Sequence, residues 1–494
     1  LPRGESGWLL LLTALAIALR FIRIGQESFW IDEVFSLNAI DQGVWQWIWN
    51  IESTPPLYFL LLKAWGFCFG HSHEALRGFS AVLGGLAVPL MYVCARRWRF
   101  SRFAAATAAL VLLAHPMAYW HSQQNRYYMA MMFLGLAWLA TLPPLLRRHR
   151  RPMLSWPFAL VGLLNFTTHY YFAFYACGTA LGLGLWWLIA ARRRETLWRM
   201  ALNFMLLAAL LCLVLPLFLH QRQHSPATYL NAPGWDQLWN VFRQHYWVGL
   251  WVSEGHWRWP FESWRIRVSL LLTVLAVAGY GRQCMRACSR NTARKIRART
   301  CLGSGALLFS ACVGSTLVAF FYSRWVTPLF IPERYPVLFL PAFILWLVLG
   351  WTAWPAKARR AVLALGIAGF LYLGGYCMRE YWTTYQAFDW VGMARQVERE
   401  WRPGDAMVFC PEWNQSNFTN NGGAARNVLA PHAVEAIRRA PRVWFFLWEQ
   451  APEESGRPAL QAWRSQAHSA PVLLTPNTTL TLVDNRLTTA TMRK

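Results

Sequence analysis

Trp30-Ile31-Asp32-Glu33, and then, past a Trp-rich stretch, Glu52-Ser53-Thr54-Pro55-Pro56-Leu57-Tyr58 are the segments from which the fold is read. The connection from 25 to 54 holds Asp32, Glu33, Asp41 and Glu52 but no Lys or Arg. Everything on either side of it is apolar or basic. Carboxylates beside a lipid phase are costly and persist where they have work to do, so this connection is where chemistry is expected.

The rest of the chain makes this a membrane reading. It has 494 residues, of which 56% are hydrophobic, 16% aromatic and only 14% charged. Such a composition points to many spanning helices. The formal net charge of +25 comes from Arg in bursts between apolar runs. The bursts are Arg96, Arg97, Arg99 and Arg102; Arg147, Arg148, Arg150 and Arg151; Arg192, Arg193, Arg194 and Arg199; the run from Arg282 to Arg299; and Lys357, Arg359 and Arg360. That is the distribution of cytoplasmic loops rather than of one nucleic-acid-binding face, and nucleic acid is excluded as a partner. Apolar runs lie at 7–24, 77–95, 103–120, 127–146, 153–168, 172–190, 200–220, 266–281, 301–321, 335–354 and 361–377. Residues 7–24 resemble a signal sequence with no small-residue cleavage site after it, so a retained first span is expected.

Placing every Arg burst inside puts 25–76, 119–126, 168–171, 220–265, 322–334 and the tail from 378 outside. The opposite threading satisfies the later bursts equally well but gives the cytoplasm a first loop without positive charge. Residues 55–70 are apolar but short, open on two prolines and carry Lys63, so they read as an interfacial or re-entrant helix. The tail has mixed polarity. A helix over Trp390–Trp401, a turn at Arg402-Pro403-Gly404-Asp405 and an apolar run Ala406–Cys410 lead to a second helix, Ala433–Arg439, and a second run, Val443–Trp448. The expectation is an all-α polytopic membrane protein of about 11 transmembrane helices, with interfacial helices in the first outer loop. It divides into a membrane domain over 1–377 and a small extracytoplasmic α/β domain over 378–494.

The cysteines read mostly as small hydrophobes: Cys94, Cys177, Cys212 and Cys312 lie in apolar segments. Cys284 and Cys288 share a basic loop without a His, and Cys410 has no partner cysteine in the tail. Asn414, Asn417 and Asn477 begin Asn-x-Ser/Thr triplets that matter only in a secretory eukaryotic setting. The outer Trp residues, Trp45, Trp47, Trp49, Trp247, Trp251, Trp257 and Trp259, suit interface anchoring, with sugar stacking as the alternative.

The outer connections bring a defined set of groups to one face. Loop one supplies Asp32, Glu33 and Glu52. The next supplies Tyr119, His121, Gln123, Gln124 and Arg126, followed by Tyr128. Later ones supply His169, Tyr170 and Tyr171, then Arg324, Glu333, Arg334 and Tyr335. A carboxylate takes an acceptor's proton, and Arg neutralises a departing phosphate. A sugar carbon between them passes through an oxocarbenium-like state. Plainer readings stand beside these: Asp32 and Glu52 as helix caps, Arg126 and Arg334 as headgroup anchors, His169 as an interface histidine.

The acidic pair, Glu52-x-Thr54-Pro55-Pro56-Leu57-Tyr58 and Glu74-Ala75-Leu76-Arg77-Gly78-Phe79-Ser80 together resemble the membrane glycosyltransferases of the C superfamily. Within it the chain is similar to the protein mannosyltransferase and aminoarabinose transferase relatives, and to the bacterial branch that decorates lipopolysaccharide core. Ser122-Gln123-Gln124-Asn125-Arg126-Tyr127-Tyr128, His169-Tyr170-Tyr171 and Pro332-Glu333-Arg334-Tyr335 match later signatures of that branch. The resemblance implies transfer of one sugar from a polyprenyl-phosphate-linked donor to a glycan, lipid or protein acceptor. It places the chain in a bacterial inner membrane with the active site on the outer side. It makes Asp32 the catalytic base or an acceptor-site carboxylate, Glu33 a catalytic carboxylate beside it and Glu52 their partner near the donor. Arg126, Gln124, Tyr128, His169, Tyr170, Arg334 and Tyr335 fall to donor phosphate and substrate binding. Two departures, Gln124 where an acid is usual and Thr54 where a His is frequent, leave a divalent metal without an assigned ligand set. Two rivals are a lipid-linked polysaccharide polymerase or ligase, which favours a large basic outer loop, and a polytopic transporter, which favours repeated halves.

Overall fold

The computed structural model describes residues 3–146, 154–191, 193–224, 231–242, 246, 262–332, 334–384, 389–448, 469–474 and 478–485. The Arg147–Arg151 burst, Arg192, Glu333, Asn477 and the tryptophans Trp247, Trp251, Trp257 and Trp259 lie outside them, as does most of the connection 220–265. By contacts the chain forms two compact units, one of Leu1–Ile22 with Ala39–Tyr381 and one of Arg23–Asn38 with Trp382–Lys494.

The first unit is helical. Its elements begin with α1 (Arg3–Phe21), α2 (Ile31–Asp41, whose start belongs to the second unit), α3 (Val44–Asn50), α4 (Leu57–Phe69) and α5 (His73–Arg97). There follow α6 (Arg102–Ala114), α7 (Pro116–Ser122), α8 (Tyr128–Leu139), α9 (Leu142–Leu146), α10 (Trp156–Phe166), α11 (Phe172–Trp186), α12 (Arg194–Leu211) and α13 (Leu215–His224). The series closes with α14 (Trp235–Asn240), α15 (Glu262–Ala287), α16 (Thr292–Phe309), α17 (Ser315–Trp325), α18 (Leu340–Thr352) and α19 (Ala356–Thr384). Among the described residues, six helical stretches are long and apolar enough to cross a membrane, or eight if each of two bent pairs is one span. The larger number expected from the sequence is approached only when shorter apolar helices, such as α10 and α18, are counted with them.

Both bends have local causes. The runs at 103–120 and 200–220, read as straight spans, are each two helices, meeting at 55° and 56°. Pro116 opens α7, and the residue before a proline is driven to extended backbone; His115 has φ −71° and ψ 118°. Pro216, in the first turn of α13, lacks a backbone N–H and so cannot continue the hydrogen-bond ladder of α12. Helix starts beside the basic turns are capped. Ser101 accepts from Ala104 N at 3.2 Å, and Asn291 accepts from Arg294 N at 3.0 Å. Where α15 crosses α18 the backbones touch, because a Cβ on Gly279 would collide with the Gly350 carbonyl oxygen.

Helix α4 fits the interfacial reading of 55–70. Its 13 residues rise about 20 Å, short of the ~30 Å hydrocarbon core. It buries Tyr58, Phe59 and Leu62 and leaves Phe67 and Phe69 exposed. Leu57 N donates to Thr167 O at 3.1 Å, which ties its start to the α10–α11 turn.

The second unit is a three-layer α/β fold. Strands β1 (Ala406–Cys410), β2 (Arg442–Trp448), β3 (Ser469–Leu474) and β4 (Thr478–Asp484) lie in the order β1-β2-β4-β3. The β1–β2 pair is parallel and the others antiparallel. Alternate side chains feed two cores. Met407, Phe409, Trp444, Phe446 and Leu480 pack with Trp390, Met393 and Val397 of α20 (Trp390–Glu400) and with Phe418 of α21 (Asn414–Asn420). Val408, Cys410, Val443, Phe445 and Val483 pack with Ile437 of α22 (Val434–Arg439). Burial on both faces is why β1 and β2 read as unbroken apolar runs. Gly404, with φ +90°, supplies the turn before β1.

Candidate functional site

In the first unit the site is built on the turn between α7 and α8. Three side chains fix that turn. Gln123 Nε2 donates to Arg20 O at 3.0 Å and Ile22 O at 2.8 Å, closing the orphan carbonyls at the end of α1. Tyr58 OH donates to Asn125 Oδ1 at 3.2 Å, and Ser80 Oγ donates to Arg126 O at 3.3 Å. The backbone at 125–126 is thereby held to α4 and α5.

Arg126 is 4% exposed, so its charge needs a partner. Its Nη1 lies 3.9 Å from Glu52 Oε2, its Nη2 donates to Tyr127 OH at 3.3 Å, and its guanidinium sits 4.5 Å from the Tyr127 ring centre. The other carboxylate oxygen of Glu52 accepts from Ser53 N at 3.0 Å. A buried guanidinium beside a carboxylate and an aromatic face is a group whose chemistry suits a phosphate.

An aromatic cluster adjoins this pair. The His169 ring lies 4.6 Å from Tyr127 and 4.8 Å from Tyr335, centre to centre. Tyr335 stacks on Tyr171 at 4.4 Å and meets Tyr128 edge-on at 6.4 Å. Tyr128 in turn lies 4.7 Å from His121, whose Nδ1 is 3.2 Å from Gln124 Oε1. Tyr171 N donates to His169 Nδ1 at 3.0 Å, which puts the ring proton on Nε2. Burial, and then the neighbouring Arg126 charge, push the His169 pKa down to about 3. The imidazole is therefore neutral at physiological pH, with a buried Nε2 that has no hydrogen-bond partner among the described residues.

Tyr170 joins a different network. Its OH donates to Gln221 Oε1 at 2.6 Å, and burial raises its pKa. Gln221 Nε2 donates to the carbonyls of Ile48 at 3.1 Å and of Glu52 and Thr54 at 3.0 Å each. Arg334 is half-buried at the start of the 3-10 turn Tyr335–Leu338.

Asp32 and Glu33 stand in the first turn of α2, within the second unit. Glu33 is fully buried, and its Oε2 accepts from Trp30 N at 3.4 Å, the reciprocal half of a capping box. Asp32 is 9% exposed. The segment ahead of them is pinned to the tail. Phe29 N donates to Asn421 Oδ1 at 2.8 Å, Asn421 Nδ2 donates to Phe29 O at 3.0 Å, and Val391 N donates to Ser28 Oγ at 3.1 Å.

The sequence-predicted residues Glu52, Arg126, Gln124, Tyr128, His169 and Tyr335 thus form one chain of contacts in the first unit. Among the described residues no group of three or more His, Cys, Asp or Glu is placed to hold a metal ion. Sequence reading did not single out Tyr58, Asn125, Tyr127 or Gln221 as site residues. The first three lie inside the quoted signatures, whereas Gln221 carries no signal of charge or spacing.

The whole chain is similar to ArnT from Cupriavidus metallidurans in its crystal structure bound to undecaprenyl phosphate. The TM-score is 0.59 at 15% identity, covering 97% of this chain and 98% of that one. The apo structure of the same protein matches at TM-score 0.47 and 14% identity, over 98% of each chain. An Archaeoglobus fulgidus oligosaccharyltransferase, in complex with Zn and sulfate, matches at TM-score 0.48 and 13% identity, over 85% of this chain and 58% of that one. No family model matches the sequence, and no curated protein matches it.

Proposed function

We propose that this chain, which has the fold of the C-superfamily membrane glycosyltransferases, transfers a single sugar from a polyprenyl-phosphate-linked donor. The acceptor is a hydroxyl or amine of a glycan, lipid or protein at the outer face of the membrane. The observation that supports this most is the buried Arg126–Glu52 pair at the edge of an aromatic cluster. A cation in that setting suits a lipid-linked phosphate, and the similar ArnT structure was solved with undecaprenyl phosphate.

In the proposed reaction Asp32 takes the proton of the acceptor nucleophile. The nucleophile's electron pair forms the new bond to the anomeric carbon as the bond from that carbon to the phosphate oxygen breaks. The polyprenyl phosphate leaves with that pair, and Arg126 stabilises its charge, with Arg334 as a second cation. His169, being neutral, contributes shape and one N–H rather than charge. Residues 1–377 are the catalytic membrane domain and 378–494 the outer domain.

The test is to incubate purified protein in detergent or liposomes with a panel of undecaprenyl-phosphate-linked sugars. Release of undecaprenyl phosphate is followed by mass spectrometry. Release by the wild type that is lost in Arg126→Ala supports the reading; no release from any donor in the presence of membrane extract as acceptor contradicts it.

A further inference from the structure

Between α3 and α4 the chain runs from Ile51 to Pro56 without regular structure, so its carbonyls have no ladder partners and must be satisfied from elsewhere. One side chain of α13 does most of this. Gln221 is 2% exposed, and its two amide hydrogens are shared among the carbonyls of Ile48, Glu52 and Thr54 at 3.0–3.1 Å. The amide cannot be turned round, since its oxygen would then face three carbonyl oxygens. Tyr170 OH, donating to Gln221 Oε1 at 2.6 Å, fixes the same orientation from the α10–α11 turn. The adjacent residue, His220, donates from Nε2 to Trp49 O at 2.9 Å, and its ring stacks on Trp49 at 3.9 Å. The residue whose backbone is gripped is the residue whose carboxylate faces Arg126 at 3.9 Å.

We infer that Gln221 is a positioning residue for Glu52, and that through Glu52 it limits how tightly Arg126 holds the phosphate of the polyprenyl carrier. The inference rests on the reading of Arg126 as the carrier's phosphate-binding cation. Glu52 neutralises Arg126 when no phosphate is bound and repels an incoming one. A carboxylate held there by a rigid backbone keeps the spent carrier from being retained, and carrier release is a step that limits turnover in many enzymes. If the grip is lost, the backbone at 52 relaxes, the carboxylate leaves Arg126, and the carrier binds more tightly.

The experiment measures binding of undecaprenyl phosphate to the purified full chain in detergent. Glu52→Gln is expected to tighten binding roughly tenfold by removing a like charge from beside the phosphate. Gln221→Leu is expected to tighten it about threefold or more, and to add nothing further in the Glu52→Gln background. Tyr170→Phe, which keeps the Gln221 amide and its three carbonyl contacts but removes the hydrogen bond that braces its oxygen, shifts binding in the same direction by less and guards against a folding defect in the first variant. Unchanged or weakened binding in both Gln221→Leu and Tyr170→Phe overturns the inference. So does an effect of Gln221→Leu that persists undiminished beside Glu52→Gln. Equal binding by wild type and Arg126→Ala overturns the phosphate reading itself, and the inference with it.

Discussion

Asp405 is the strongest test of how the second unit is held together. Its carboxylate is 2% exposed and receives Arg442 Nε at 3.0 Å, Arg442 Nη2 at 2.7 Å, Trp444 Nε1 at 2.9 Å and Arg402 N at 3.0 Å. Burial alone would raise its pKa, but these hydrogen bonds and the Arg442 charge bring it below the usual Asp value. Asp405→Asn keeps the shape but leaves Arg442, itself 5% exposed, as an unpaired buried cation. Removing one partner of such a pair costs about 3–5 kcal/mol. That is a large share of the ~5–15 kcal/mol that stabilises a domain. Hydrogen exchange of the full-length protein should show amide protection in β1 and β2 falling by about two to four decades, at ~1.4 kcal/mol per decade. The sign with pH follows from the depressed pKa. Asp405's contribution is complete above the ordinary Asp value and is lost as pH falls through the lower folded value. Because Ser28 and Phe29 are tied to this unit, the start of α2 with Asp32 should lose protection too. Protection of β1 and β2 within threefold of wild type would refute the reasoning.

Arg126→Ala should weaken undecaprenyl phosphate binding by roughly 10- to 150-fold, the range of a charge-assisted hydrogen bond, read from a titration of the purified protein. His169, with its pKa pushed down to about 3, stays neutral between pH 5 and 8. A His169→Gln variant should therefore keep the shape of the pH–rate profile while lowering its height, and loss of a limb near pH 6.5 would contradict the neutral assignment. By linkage its share of stability is complete above about pH 6.5 and is lost as pH falls toward the folded value. Introduced cysteines should be labelled from outside near 41 and only from the cytoplasm near 284–299; the reverse pattern would undo the outer-face placement.

Much of the architecture was legible because lipid imposes a simple code. Arg bursts and apolar run lengths locate the turns, and unbroken apolar runs located β1 and β2. The bends at His115 and Leu213 were missed because run length is blind to the backbone donor that Pro116 and Pro216 remove. Strands β3 and β4 were missed because Ser469–Leu474 and Thr478–Asp484 are short polar-apolar mixtures whose pairing comes from elsewhere, β4 along β2 and β3 along β4. At the site, charged groups declared themselves: Glu52 and Arg126 were both named and do meet. Gln221 was invisible because a glutamine in the last turn of a helix has no pattern of its own. Its role comes from three carbonyls more than 160 residues away in sequence. Glu33 was read as chemistry from its charge, and the structure adds a cap contact to Trp30 N that only the helix start could reveal.

The central claim, sugar transfer from a lipid-linked donor with Asp32 as base, is tested most directly by Asp32→Asn in a single-turnover assay of undecaprenyl phosphate release. The substitution keeps size and capping ability but removes the basic oxygen. The account predicts a fall of about 10²- to 10⁴-fold in the transfer rate, with protein level, membrane insertion and undecaprenyl phosphate binding unchanged. Transfer at a near-wild-type rate would contradict it and leave Asp32 as a helix-start residue alone.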